Sequence, residues 1–98
     1  MPANRPPVEA PTTLSWQRLR QHFRLSVCET AVAEMLFSGS ARKTIALVLQ
    51  RAPGTIRVFI DRLYHKMQVP DRLTFALRVL AFWHDHHLPP EALPFSPE

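Results

Sequence analysis

The sequence predicts an all-α fold, on three observations. Apolar residues recur at three- and four-residue spacing, and no run alternates with the period of a strand. Helix-start and helix-stop residues stand at the edges of those runs, at Ser26, Gly39, Pro53 and Asp71. Eight of the ten prolines lie before Leu14 or after Leu88; the other two, Pro53 and Pro70, fall where a helix starts or ends.

Residues 1–13 have no apolar periodicity and read as a disordered arm. Ser15 is the expected cap of a short helix over 16–23, whose Trp16, Leu19 and Phe23 share one face. That helix is expected to lie on the domain as a lid. The next helix, 27–38, opens on Ser26-x-x-Glu29, a capping box in which each side chain satisfies a backbone donor of the other residue. Ala31, Val32, Met35 and Leu36 form its buried stripe, and Gly39 supplies a left-handed stop. Ser40 is the expected cap of a helix over 41–50, with Ile45, Leu49 and Val48 turned inward.

Pro53 suits the first turn of a helix over 53–67. At 100° per residue, Ile56, Ile60, Leu63 and Met67 fall within one arc and make its core face. The opposite face carries Arg57, Val58, Asp61, Arg62 and His65. Asp71 can cap the last helix, 72–86, which is apolar on two sides. Leu73, Ala76, Leu77 and Leu80 form one stripe, and Phe75, Val79 and Phe82 the other. One small core cannot cover both, so the spare stripe needs the Trp16–Phe23 helix or a second subunit. Residues 88–98 read as a Pro-rich tail.

Composition bounds what such a chain does. It has 98 residues, 46% of them hydrophobic, enough for one domain with a small core. The lone Cys28 cannot form an internal disulfide, which favours a reducing, cytoplasmic setting. No signal peptide and no run long enough to span a bilayer is visible. The net charge of +4 is unevenly spread: residues 40–68 carry six basic side chains against Asp61, while 25–39 and 69–98 are net acidic. A basic stretch of this kind attracts phosphate, although charge alone is equally an ordinary solvated face.

The two short helices, the tight turn and the basic third helix outline a helix-turn-helix DNA reader. The segment Leu25–Ala76 resembles the LuxR-type (GerE-type) helix-turn-helix domain of bacterial transcription regulators. The resemblance rests on Leu25, Ser26, Glu29, Val32, Gly39, Lys43, Ile45, Ala46, Leu49, Thr55, Ile56, Arg57, Arg62, Leu63, Lys66, Met67, Val69, Asp71 and Arg72, which keep the family's spacing without a gap. It implies a tetra-helical domain, here with an extra short N-terminal helix, whose recognition helix 53–67 enters the major groove. It also implies dimers that pair through the last helix, with Leu73, Leu77, Leu80 and Val79 as interface candidates. The family's base-reading positions fall on Arg57, Val58 and Asp61. Its phosphate-contacting positions fall on Lys43, Thr55, Arg62 and Lys66.

Four residues depart from the family pattern: Cys28 replaces an Arg, Ala52 a polar cap, Phe59 a His, and Asp61 a residue more often polar or basic. The 24 residues ahead of the matched segment leave no room for a sensor domain, so a free-standing, divergent regulator is expected, controlled by its amount or by a protein partner. The expected function is sequence-specific binding of double-stranded DNA, with no cofactor. The alternative is a protein-binding adaptor that keeps the fold and has lost DNA readout.

Enzymatic and metal chemistry find weak support. His84-Asp85-His86-His87 invites a metal, but no Cys or Glu stands nearby to close a site, and His⁺ at a helix end complements the dipole. Cys28 falls in the first turn of a helix, where a thiolate is favoured, yet no orienting partner or oxyanion-forming Gly loop accompanies it.

Overall fold

The computed structural model describes residues 13–90, and the expected arm (1–12) and most of the tail (91–98) lie outside them. Among the described residues five helices follow one another: α1 (Leu14–Phe23), α2 (Val27–Phe37), α3 (Arg42–Leu49), α4 (Pro53–Met67) and α5 (Arg72–Asp85). No strand occurs among the described residues. The all-α, helix-turn-helix expectation holds, with α1 as the extra helix.

The core forms where the helical period places it. Val32, Leu36, Ile45, Leu49, Ile56, Ile60, Leu63 and Met67 are all buried in one cluster. α4 packs on α2 and α3, and α5 crosses α2 and α4. Ala31 and Met35 lie at the margin of the cluster, half-buried. Val48 is not turned inward but is 44% exposed: α3 has eight residues, and Ile45, Ala46 and Leu49 already fill its inner face.

Two expected caps are replaced. Thr13, not Ser15, caps α1, accepting a hydrogen bond from the Trp16 N–H. Ser15 lies inside the helix and is fully buried, and its hydroxyl donates to the Pro89 carbonyl at 2.7 Å. At α3 the N-cap is Ala41, which offers no side-chain acceptor. Ser40 is instead part of the preceding helix stop: its N–H donates to the Met35 carbonyl and its own carbonyl accepts from Arg72. The capping box at Ser26 and Glu29 and the Asp71 cap, which accepts from Thr74 N–H at 2.8 Å, form as expected.

All five helices stop the same way. A residue of positive φ follows the last turn, and the two N–H groups there fold back onto carbonyls of that turn, which satisfies groups a helix end otherwise leaves open. The residues are Arg24, Gly39, Gln50, Gln68 and His87. Only one of them is glycine. After three of the stops an apolar residue, Leu25, Val69 or Leu88, turns back against the core.

α5 resolves its double stripe through α1. Phe75, Val79, Phe82 and Trp83 are buried, while Leu73, Leu77 and Leu80 are 70%, 57% and 42% exposed. α1 lies on α5 and α2 and covers the Phe82–Trp83 end of the buried stripe, while Phe75 packs on Tyr64 of α4. Trp16, Phe37 and Trp83 meet edge to face, with ring centroids 5.1–5.8 Å apart. The Trp83 indole N–H donates to the Ser15 carbonyl at 2.9 Å, so the one polar atom of this buried ring is satisfied.

Candidate nucleic-acid interface

α3 and α4 are joined by the three residues 50–52 and form the helix-turn-helix pair. α4 exposes one face because the other is fixed: Ile56, Ile60, Leu63 and Met67 are each no more than 4% exposed. The geometry then turns Arg57, Val58, Asp61, Arg62 and His65 outward, and all five are exposed. These include the three expected base-reading residues, Arg57, Val58 and Asp61, which share one face of one helix. Asp61 makes no ion pair among the described residues, although Arg57 precedes it by one turn. That order of charges is the weaker one along a helix.

The start of α4 is open. Ala52 gives no side-chain cap, Pro53 has no N–H, and a Cβ added at Gly54 would meet nothing within 4 Å. Thr55 is half-buried, with its backbone N–H tied to the Ala52 carbonyl. Lys43, in the first turn of α3, and Arg62 are exposed, with no partner among the described residues.

Lys66 is placed differently from the sequence expectation. Its ammonium donates to Glu29 Oε1 at 2.7 Å and to the Arg24 carbonyl at 3.0 Å. It therefore ties the last turn of α4 to the start of α2, and its charge is already matched by a carboxylate. Burial alone would raise the Glu29 carboxyl; the hydrogen bonds from Lys66 and Ser26, with the Lys66 charge, outweigh it and hold that carboxyl below its ordinary range. Val79 is also misplaced among the interface candidates: it is fully buried in the monomer and has no surface to offer a second copy.

Two arginines were given no role in the sequence reading. Arg51, in the turn before α4, is exposed, and its Nη2 lies 3.8 Å from Cys28 Sγ. A guanidinium thus stands beside Cys28 from the turn, for which no local sequence pattern gives a signal. Arg72 donates to the Leu36 carbonyl at 3.2 and 2.7 Å and to the Ser40 carbonyl at 2.7 Å. It fastens α5 to the end of α2 and is spent on structure. Phe59 packs half-buried against the core, so its departure from the family pattern is absorbed as packing.

Other chemistry finds no constellation. Among the described residues, no group of three or more His, Cys, Asp and Glu comes together. No helix there is long and apolar enough to cross a membrane.

Neither the curated proteins nor the solved structures compared with the chain gave a match. The family model for bacterial regulatory proteins of the luxR family matches residues 24–79, from the end of α1 to the middle of α5. That match spans more than half of the 98 residues, and the chain belongs to the LuxR family of bacterial regulatory proteins.

Proposed function

We propose that the chain binds double-stranded DNA in a sequence-specific manner as a small transcription regulator, with α4 in the major groove. The observation that carries this reading is the exposed row Arg57, Val58, Asp61 on a helix whose other face is locked in the core. Arg57 presents two parallel donors suited to the O6 and N7 acceptors of guanine. Val58, 46% exposed, suits a thymine methyl. Asp61 accepts from a cytosine amine. Lys43, Thr55 and Arg62 serve the phosphates on either side, and Arg51 joins them from the turn. Lys66 acts one step back, holding the end of α4 in register with α2.

The exposed Leu73, Leu77 and Leu80 supply a pairing face for a homodimer. A two-fold pair would present two copies of α4 to one side of the duplex, about one helical turn apart. The adaptor alternative loses one of its supports, since Phe59 is committed to packing.

Titrating binding to a DNA duplex against salt tests the reading. With Lys43, Arg51 and Arg62 on phosphates, log K should fall linearly with log salt, with a slope of about −3 per protomer. Absence of binding at low salt, or binding insensitive to salt, would reject DNA as the ligand.

A further inference from the structure

The family match covers residues 24–79, yet the chain builds a cleft wholly outside it. Arg18, Gln21 and His22 of α1 line one side, and Phe82 and His86 at the end of α5 line the other. We propose that this cleft binds a small aromatic carboxylate.

The spacing makes it a constructed face. Arg18, Gln21 and His22 stand at i, i+3 and i+4 on α1, and Phe82 and His86 at i and i+4 on α5, so each helix turns one side into the cleft. The aromatic part is a cluster of three rings, the exposed imidazoles of His22 and His86 packed on the buried Phe82. The Phe82 and His86 centroids are 4.1 Å apart at 33°, those of His22 and Phe82 4.8 Å apart at 45°, and those of His22 and His86 5.7 Å apart. A planar ring adds to such a cluster by offset stacking. The cluster is held in place: His86 Nδ1 lies 2.9 Å from the Phe82 carbonyl, and since a carbonyl only accepts, Nδ1 carries the proton.

The polar part selects an anion. No acidic side chain lines the cleft. The Arg18 guanidinium and the Gln21 amide have no hydrogen-bond partner among the described residues. A guanidinium fork takes a carboxylate through two parallel hydrogen bonds. The cleft is open to solvent and offers about 270 Å³, at or below the small end of ligand pockets and on the scale of a single ring bearing one carboxylate.

The test uses the full 98-residue chain with benzoate as probe, followed by NMR of the His22 and His86 imidazoles. Benzamide has the ring without the charge, and cyclohexanecarboxylate has the charge without the aromatic ring. Saturable shifts of both imidazoles with benzoate are expected, with weaker binding of both analogues. Arg18→Gln should weaken benzoate by about tenfold, the scale of one charge-assisted hydrogen bond. Arg18 is exposed, so its replacement leaves the core intact, and an unchanged thermal midpoint checks this. Benzamide or cyclohexanecarboxylate binding as well as benzoate, benzoate binding unaltered in Arg18→Gln, or no imidazole response up to about 10 mM, a concentration at which even millimolar binding would register, overturns the proposal. The titration contains no DNA, so its outcome is independent of the DNA-binding reading.

Discussion

The Lys66 ammonium stands 2.7 Å from the Glu29 carboxylate and bridges the end of α4 to the start of α2. The Glu29 side chain is 4% exposed and that of Lys66 36%, so the carboxylate is the member at risk when the pair is broken. Lys66→Met should cost about 1–2 kcal/mol, discounted from a fully buried pair because the ammonium reaches solvent. Glu29→Ala should cost more, about 2–4 kcal/mol, because it also removes half of the capping box. Urea unfolding of the two variants decides the order, and equal, negligible losses would make the contact incidental.

The same pair shapes the acid limb. A carboxyl whose folded value lies below its ordinary value of 4.5 contributes stability in full above that value. The contribution is lost as pH falls through the lower, folded value. Glu29→Gln should therefore be less stable than the parent at neutral pH, with the gap closing below the ordinary carboxylate range. Asp71, also held low by its hydrogen bonds to Thr74, bends the limb in the same direction and should remain as residual slope in the variant. A gap constant between pH 7 and pH 3 would remove Glu29 from the account.

Arg57 and Arg62 are both exposed on α4 but are assigned different work. Arg57→Ala should relax preference for the best site by about 1–3 kcal/mol while changing random-sequence binding little. Arg62→Ala should weaken all duplexes alike and lower the salt slope by about one unit. Competition titrations on specific and random duplexes separate the two; identical behaviour would cancel the assignment.

Leu77 and Val79 are two residues apart on α5 and differ completely in burial, at 57% and 0% exposed. Leu77→Glu should leave the fold intact and abolish pairing in sedimentation. Val79→Ala should cost about 2 kcal/mol of folding through lost burial and the void left behind. A Leu77→Glu protein that still places two copies on one duplex would move the interface elsewhere.

Gln68 has φ 58°, a left-handed conformation that favours glycine. Gln68→Gly should stabilise the domain by about 0.5–1 kcal/mol, the relief at φ > 0 less the extra freedom of glycine when unfolded. Gly39→Ala, at φ 94°, should destabilise by a similar amount or more. Paired thermal midpoints test both, and a loss on Gln68→Gly would show that its side chain holds the stop.

The helices and the core were legible because both follow from the 3.6-residue period, which needs no tertiary information. Ile56, Ile60, Leu63 and Met67 fix the exposed face of α4 by occupying its opposite. Helix ends were less legible: Gly39 announces a stop, while Arg24, Gln50, Gln68 and His87 adopt the same conformation without a glycine signal. The surroundings of two residues were not legible, for a common reason. The sequence shows neither the Glu29 carboxylate that meets Lys66 nor the core that closes over Val79. Arg51 was missed because its neighbour Cys28 is 23 residues away in sequence.

The Trp83–Ser15 hydrogen bond also sets an order of events. It joins residues 68 positions apart, whereas the contacts of α2 with α4 and of α3 with α4 close much shorter loops. During synthesis Trp16 can pack on Phe37 of α2, but it has no α5 to complete its cover until residue 83 has emerged. Of the five described helices, the earliest made is thus the last to be fully covered. In the finished protein the same docking is the outermost closure, so partial opening that lifts α1 would bare Phe82 and Trp83 before the helix-turn-helix pair lets go.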